Sequence, residues 1–366
     1  MKGSRSDIQP TIDDVAHAAG VSRATAARVL GDYGKVTSGT RDLVLQAARK
    51  LAYHPNQVAR TVATGRSQTI GVVIADIETH CSAQAIRAMT DTAIANDFAV
   101  MLAITDDDVE LERHAVYSLL AKRVDGLIVS PASSVETDHL QAAKNMNCPV
   151  VLFDRRAPAL EVDTFAVENF SAAYEAATFL IEKNHRRIAL VSKGLCDRET
   201  QQLLSPTRER IDGYLAALDD AGIRDASLIV DGGGDATKLS QHVRSLCEAP
   251  DSPTAFLATE SSVGFMLLRI FQEMKLSIPE DISFICVDDS GWAAAVALTV
   301  VAAPMGELSS AATETLIARL RDRVKEPPRE IFYTAKLIER SSVAKALKTP
   351  TVAQRTENPA HEPRDA

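Results

Sequence analysis

The 366-residue sequence predicts a short all-α unit of helix-turn-helix type, followed by an α/β core of two doubly wound parallel lobes. In the stretch TIDDVAHAAGVSRATAARVL, residues 11–30, two short amphipathic segments flank a single glycine. From Ile70 onward, short apolar runs alternate with segments of helical period, which is typical of a parallel sheet covered on both faces. Roughly ten such runs exceed one compact sheet, so we expect two lobes.

The helical unit is predicted from its capping residues. Thr11, with Asp14 three residues on, is a suitable N-cap for a first helix that ends at the Gly20 turn. Ser22 is a suitable cap for a second helix, and a third helix over about 39–52 covers the apolar face. In a helix-turn-helix the second helix enters the DNA major groove with its N-terminal side chains toward the bases.

The charge is divided unevenly along the chain. The formal net charge is −9, but residues 1–60 carry nine lysines and arginines against five aspartates, a balance of +4. The remaining residues therefore sum to −13. A basic head on an acidic body favours one local contact with a polyanion and disfavours a chain that coats nucleic acid.

The core is predicted as alternating strands and helices. The predicted strands are TIGVVI, AVMLAIT, GLIVSP, VVLFD, RIALVS, SLIVD, AFLA and SFICVDD. The helical segments between them are 83–96, 109–121, 171–183, 208–221, 236–248 and 261–275. A strand and a helix follow in TVVAAPMGELSSAATETLIARLRDRV, and EIFYTAKLIERSSV reads as terminal strands. Ligands of such sheets bind beyond the carboxyl ends of the strands, which places a binding site between the lobes.

Composition also indicates the compartment. The five cysteines are odd in number and contain no C-x-x-C pair, which disfavours a disulfide framework or a zinc site. No apolar run reaches membrane-spanning length, and MKGSRSDIQP lacks the apolar segment of a signal peptide. We therefore expect a cytoplasmic protein with no membrane partner, no metal and no cofactor.

The opening segment TIDDVAHAAGVSRATAARVLGDYGKVTSGTRDLVLQAARKLAYHPNQVAR resembles the head of the LacI/GalR (lactose-repressor) family of bacterial transcription regulators. The similarity continues through TIGVVIADI, RVDGLIVSP, PVVLFDR, NHRRIALVS, RERIDGYLAAL and IPEDISFICVDD, over about residues 11–340. The resemblance implies a homodimer that binds a pseudo-palindromic double-stranded DNA operator, most often as a repressor. A small polar effector in the cleft would switch the protein, whether as inducer or as corepressor.

The resemblance also implies a domain plan. A DNA-binding head covers 1–55, a hinge helix and linker cover 56–68, and a core like that of periplasmic binding proteins covers 69–343. Within this core, the implied first lobe is about 69–165 plus 299–330, and the second is about 166–298 plus the C-terminal strands. We expect residues 344–366 to be a disordered tail. This tail lacks the leucine heptads that tetramers of the family use, so we expect a dimer.

By position, Arg23 and Ala24 are the implied specificity pair, and Arg28 also reaches bases; arginine is a common bidentate partner of guanine. The implied phosphate contacts are Ser22, Thr25, Thr40 and Asn56. Ser22 and Thr25 can alternatively serve only as helix caps. The hinge NQVARTV adds Ala59 and Val62 on the minor-groove side. Valine stands where the family usually has a leucine wedge, so we expect weaker bending of the operator.

Three residues match effector-binding positions of the family. They are Asp154 in VLFDR, Arg210, three residues before Gly213 in RIDGY, and Asp288 after SFICV. Two carboxylates and a guanidinium suit a polyhydroxy ligand, which both donates and accepts hydrogen bonds. The alternative role for each is a salt bridge that fixes a loop.

Departures from the family pattern bear on the effector. Glu260 stands in ATESSVG where the family commonly has ANDLMA, and His80 and Ser82 stand in DIETHCSA where aromatic residues are common. Trp292, the only tryptophan, can serve as a stacking platform or as a core residue. We therefore expect a sugar, short polyol, sugar acid or sugar phosphate rather than a sugar stacked on several rings.

Two other classes of protein fit the sequence less well. A solute-binding protein with the same core needs a signal peptide and leaves residues 1–65 unexplained. An enzyme needs an acid–base or nucleophile constellation, and no G-x-S-x-G or H-E-x-x-H motif occurs. DGGGDATK lacks the Lys-Ser/Thr pair of a P-loop and is interpreted as a turn between strand and helix.

Overall fold

The computed structural model describes residues 10–31, 34–53, 65–193, 204–232, 236–322 and 326–346. The chain divides into two compact units, residues 1–67 and residues 68–366. In the first unit the helices are α1 Ile12–Ala19, α2 Arg23–Leu30 and α3 Ser38–Lys50. The predicted hinge helix falls almost wholly on residues 54–64, which lie outside the described ranges, as do residues 347–366 of the predicted tail.

The caps of the first unit are those the sequence predicts. Thr11 and Asp14 form a reciprocal capping box, with the Thr11 amide donating to Asp14 Oδ2 at 2.7 Å. Gly20 ends α1 in the left-handed conformation, with φ of 66°, where a side chain would be strained. Ser22 Oγ then accepts from the Thr25 amide at 3.2 Å and begins α2. The buried face that joins the three helices consists of Val15, Ala16, Ala26, Val29, Val44, Ala47 and Ala48.

The second unit contains two six-stranded sheets within the described ranges. The strands of the first sheet are β1 Thr69–Ile74, β2 Ala99–Ile104, β3 Gly126–Val129, β4 Val150–Asp154, β5 Asp163–Val167 and β11 Glu330–Tyr333. Those of the second are β6 Ile188–Ser192, β7 Ile229–Asp231, β8 Ala255–Ala258, β9 Ser283–Val287, β10 Thr299–Ala302 and β12 Lys336–Ile338. Their orders are β11-β5-β4-β3-β1-β2 and β12-β10-β9-β8-β6-β7, which confirms two doubly wound lobes.

All pairs of the first sheet are parallel, and the second is parallel except for its edge strand β12, which runs antiparallel to β10. The core helices are α4 His80–Ala95, α5 Val109–Ala121, α6 Asp138–Asn145, α7 Asn169–Glu182, α8 Ser205–Asp220, α9 Ala236–Glu248, α10 Ser261–Glu273, α11 Gly291–Ala295 and α12 Met305–Leu320. None of the helices in the described ranges is long and apolar enough to cross a membrane.

Two strands lie in a different lobe from the one expected. We expected the C-terminal strands in the second lobe, but β11 pairs in parallel with β5 at the edge of the first sheet. We expected 299–330 in the first lobe, but β10 belongs to the second sheet, because Val300 pairs with Cys286 in parallel register. The chain therefore changes lobes after Ala302. Helix α12 does pack on the first sheet, where the Leu316 side chain covers Gly126 of β3. The structure also adds β5, α6 and α11, which the sequence pattern did not predict.

Candidate functional site

The start of α2 is exposed, as a DNA-reading helix requires. Ser22, Arg23 and Ala24 are exposed at its N-terminal tip, Thr25 is half-buried, and Arg28 is exposed one turn further on. The opposite face, with Ala26 and Val29, is buried against the other two helices. The structure thus brings the five predicted residues of this helix together on one accessible side.

Three of these side chains already have partners inside the unit. Arg23 Nε lies 3.5 Å from Asp13 Oδ1, and both side chains are more than half exposed, so the pair is easily exchanged for another partner. The Ser22 and Thr25 hydroxyls are hydrogen-bonded to each other at 2.9 Å. Their capping role is therefore present in the structure, and it does not exclude a phosphate contact.

The remaining predicted DNA contacts lie elsewhere. Thr40 is in the first turn of α3, where its hydroxyl bonds that of Thr37 at 2.9 Å. Asn56, Ala59 and Val62 lie outside the described residues.

A small cavity of about 130 Å³ lies between the carboxyl ends of the two sheets of the core. We call it the inner compartment. Five residues predicted from the sequence line it: Ser82, Asp154, Arg210, Glu260 and Asp288. Asp154 comes from the first sheet and Asp288 from the second, so the inner compartment is built by both lobes.

Both aspartates are placed by a sharp turn at a strand end. Asp154 ends β4 with φ of 65°, and Asp288 follows β9 with φ of 79°. Residues other than glycine seldom adopt this left-handed region, although aspartate does so more readily than most. Such backbone strain clusters at functional sites, and here both turns bring a carboxylate to the cavity wall.

Arg210, on α8, is held rigidly in the wall of the inner compartment. Its Nε donates to Asn169 Oδ1 at 2.9 Å, and its Nη1 donates to the carbonyl of Thr259 at 2.6 Å. Asn169 is buried at the start of α7 and is fixed in turn by the carbonyl of Val167, at 3.1 Å. The guanidinium therefore stays oriented without a ligand.

Burial shapes the electrostatics of the carboxylates. It raises the pKa of Asp288, with a further rise from neighbouring Asp154 and an opposing effect of the Arg210 guanidinium. Burial likewise raises the pKa of Glu260 to about 7, against the opposing charges of Lys193 and Arg210. A bound cationic or hydrogen-bond-donating group would lower the free-energy cost of burying these carboxylates in their charged form.

The other two predicted residues do not line the inner compartment. His80 and Trp292 line a larger, more open space of about 1100 Å³, which we call the outer compartment. His80 Nε2 lies 2.9 Å from Gln84 Nε2, and the Trp292 ring meets Phe265 edge-on with centroids 5.7 Å apart. Asp76 and Thr79 line both compartments, so the two are contiguous.

Several lining residues were missed by the sequence analysis. Asp76, just after β1, and Arg155, just after Asp154, line the inner compartment, and both could have been found from their place beyond a strand end. Cys81 also lines it, and burial together with Asp288 raises the pKa of its thiol. Thr259, which precedes Glu260 in ATESSVG, is buried, and its hydroxyl bonds that of Ser192.

No group of histidine, cysteine, aspartate and glutamate side chains in the described ranges is arranged to hold a metal ion.

Comparison with known proteins agrees with both units. Residues 11–56 match the family described as "Bacterial regulatory proteins, lacI family". Residues 177–343 match the "Periplasmic binding protein-like domain". The first match covers the helical unit, and the second covers the second lobe with the C-terminal strands.

Similar proteins are repressors and regulators. A probable opine utilization operon repressor from Rhizobium rhizogenes is 52% identical over 181 residues, which cover 49% of this chain and 91% of that protein. Catabolite control protein A from Priestia megaterium is 30% identical over 310 residues, which cover 84% of this chain and 91% of that protein.

The fold is also that of a solved repressor. The lac repressor dimer bound to operator and the anti-inducer ONPF has a TM-score of 0.78 to this chain at 23% identity, covering 92% of this chain and 99% of that one. The helix-turn-helix unit, the two-lobed core and the near-full-length relatives lead to one conclusion. The chain belongs to the LacI family, as a ligand-binding transcriptional repressor and not an enzyme.

Proposed function

We propose that two copies of the chain bind a pseudo-palindromic operator and that a small polar effector in the inner compartment controls this binding. The observation that carries the proposal is that Asp154 of the first lobe and Asp288 of the second line the same cavity, because a ligand that binds both aspartates ties the two lobes together. A ligand that prefers one lobe arrangement shifts the population toward it. Operator affinity then changes by the coupling free energy between the two sites.

A dimer is supported by the edge of the first sheet. Strand β2 has no neighbour on its outer side in the described ranges, and its side chains include exposed Met101, Leu102 and Ile104, at 38%, 41% and 43%. Unpaired apolar edges tend to be covered by another chain. On the second lobe, Phe265 of α10 and Val296, which follows α11, are exposed. We propose that a second copy covers both patches.

The effector we propose is a small polar compound of the size and polarity of a sugar, polyol, sugar acid or sugar phosphate. One relative is named a probable opine utilization operon repressor. This name supports the proposal that the genes regulated by this chain serve the use of a nutrient. In the DNA complex we propose that Arg23 and Ala24 read bases with Arg28. Ser22, Thr25, Thr40 and Asn56 hold phosphates, while Ala59 and Val62 lie at the minor groove.

Selection from a pool of random DNA duplexes by the purified full chain tests the proposal. We expect enrichment of an inverted repeat, because two identical heads read two half-sites related by a two-fold axis. Enrichment of a single unrepeated half-site would contradict the dimer, and no enrichment would contradict operator binding. A variant with Arg23→Ala should enrich a different repeat.

A further inference from the structure

The inner compartment holds more carboxylates than free cations. Asp154 of the first lobe, Asp288 of the second and Glu260 all line it, and the charge of Asp154 raises the pKa of Asp288, as that of Asp288 raises the pKa of Glu260. The Asp154 carboxylate receives no hydrogen bond from any described residue. An anionic ligand would meet repulsion here, whereas a cationic group would pair with the carboxylates and offset the free-energy cost of burying them.

The two arginines of the wall are already engaged by protein groups. Arg155 Nη1 pairs with Asp107 Oδ1 at 2.5 Å and donates to the carbonyl of Pro131 at 3.2 Å. Arg210 uses two of its three nitrogens on Asn169 and Thr259. Because Nη2 of Arg210 makes no hydrogen bond to the described residues, it is available for one carboxylate or hydroxyl of a ligand.

The outer compartment carries a second and independent sign of a ligand. Ser262 and Ser290 line it, and the hydroxyl of each is buried without a hydrogen-bond partner in the described structure. Ser290 is only 3% exposed. Buried hydroxyls are normally paired, so these two are poised for polar groups of a bound molecule. Trp292 and Lys193 line the same space.

We propose that the effector is an extended molecule with a protonated amine and a polar tail. The amine lies between Asp154 and Asp288 in the inner compartment, and the tail reaches past Asp76 and Thr79 to Ser262 and Ser290. The ligand class is thus an amine conjugate rather than a simple sugar or a sugar phosphate. The inference rests on the proposed function, because it takes this cleft as the effector site.

Calorimetric titration of the full chain with a matched set of compounds tests the inference. The probe is the secondary amine made by reductive amination of glucose with glutamine. Its N-acetyl derivative removes the positive charge, and its N-methyl derivative keeps the charge at similar bulk. We expect the N-methyl compound to bind within about threefold of the probe and the N-acetyl compound at least tenfold more weakly. Sorbitol, glutamine and glucose 6-phosphate, which lack the linked amine and tail, should bind at least tenfold more weakly too.

Substitutions in each compartment test its contribution to binding separately. Asp154→Asn keeps a residue that tolerates the left-handed conformation, and it should abolish the preference for the charged probe over the N-acetyl compound. The double change Ser262→Ala and Ser290→Ala should weaken binding of the probe at least fivefold. Asp212→Asn, at an exposed position on the same helix as Arg210, is the matched control and should leave affinity unchanged.

Equal affinity for the N-acetyl and N-methyl compounds would overturn the inference, as would tighter binding of glucose 6-phosphate or no binding of the amine probe. These failures are distinct from failure of the proposed function. A chain that enriches an inverted repeat but does not prefer the charged probe is still an operator-binding dimer. A chain that binds the probe but enriches no duplex contradicts the proposed function and leaves the ligand class standing.

Discussion

Arg156 of the first lobe and Glu209 of the second form an ion pair that joins the two lobes of the core. Arg156 follows β4, and its Nε donates to Oε1 of Glu209, on α8, at 3.0 Å. On its own side Arg156 is held by Glu330 at 3.6 Å and by the ring of Phe332, 5.4 Å from the guanidinium carbon. Its amide also donates to Ser205 Oγ at 2.8 Å, so the contact between the lobes involves backbone as well as side chain.

The first prediction concerns this ion pair. Arg156→Met keeps most of the apolar stem but removes a partly buried, charge-assisted pair, and it should lower the free energy of unfolding by about 1.5–3 kcal/mol. Arg224→Met, which removes a more exposed pair with Asp219, should cost less than about 1 kcal/mol. Urea denaturation followed by circular dichroism measures both, and equal losses would contradict a stabilising role for the contact between the lobes.

The second prediction concerns pH. The pKa of Glu260 is raised from 4.5 to about 7 in the folded protein, mainly by burial. The folded state therefore binds this proton more tightly, and stability declines as pH rises from about 4.5 to 7 and then levels off. Glu260→Gln removes that loss because glutamine does not titrate. Relative to that of the unchanged chain without ligand, the free energy of unfolding of the variant should therefore be about 3 kcal/mol higher at pH 8 than at pH 5.

Denaturation at both pH values, with exposed Glu280→Gln as control, checks the Glu260 prediction. The same effect for Glu260→Gln at pH 5 and pH 8 would show that Glu260 titrates normally.

The third prediction separates base reading from phosphate binding. Arg23→Ala should change which bases are preferred at one position of each half-site, at about 1–3 kcal/mol of lost discrimination. Arg49→Ala, at an exposed basic position of α3, should weaken all sequences alike or have no effect, with a shallower salt dependence if it touches DNA. Uniform weakening by Arg23→Ala in competition binding would contradict its role in specificity.

The fourth prediction concerns the exposed edge strand. Leu102→Glu places a charge on β2, so it should convert the dimer to a monomer at micromolar concentration and weaken binding to an inverted repeat at least tenfold. Met146→Glu changes an equally apolar and more exposed residue, at 65%, and should leave the dimer intact. Sedimentation velocity distinguishes the two variants, and a tetramer in the unchanged protein would show that the predicted assembly is wrong.

Much of the fold could be predicted because local signals agree with it. The caps Thr11 and Ser22, the Gly20 turn and the apolar strands all indicate the elements that form. Strand β10 shows the limit, since its sequence is equally suited to either sheet, and only pairing with β9 decides which lobe it joins. Strand β5 was missed because its short run, DTFAV, begins with aspartate and carries a polar threonine.

The candidate site was predictable where a residue lies directly at a strand end. Asp154 and Asp288 do so, and Arg210 lies on a helix that packs beside them. His80 and Trp292 line the outer compartment, and their distance from the inner compartment depends on packing that spacing does not show. The orphaned hydroxyls of Ser262 and Ser290 could not be foreseen, because an unpaired donor is visible only in three dimensions.

The most direct test of effector-controlled operator binding is the affinity for the selected inverted repeat, measured by fluorescence anisotropy with and without the amine probe at saturation. We expect a change of at least tenfold in the unchanged chain, a coupling of about 1.4 kcal/mol, and a much smaller change in Asp288→Asn. An operator affinity that stays the same while calorimetry shows the probe bound would contradict the coupling between cleft and head.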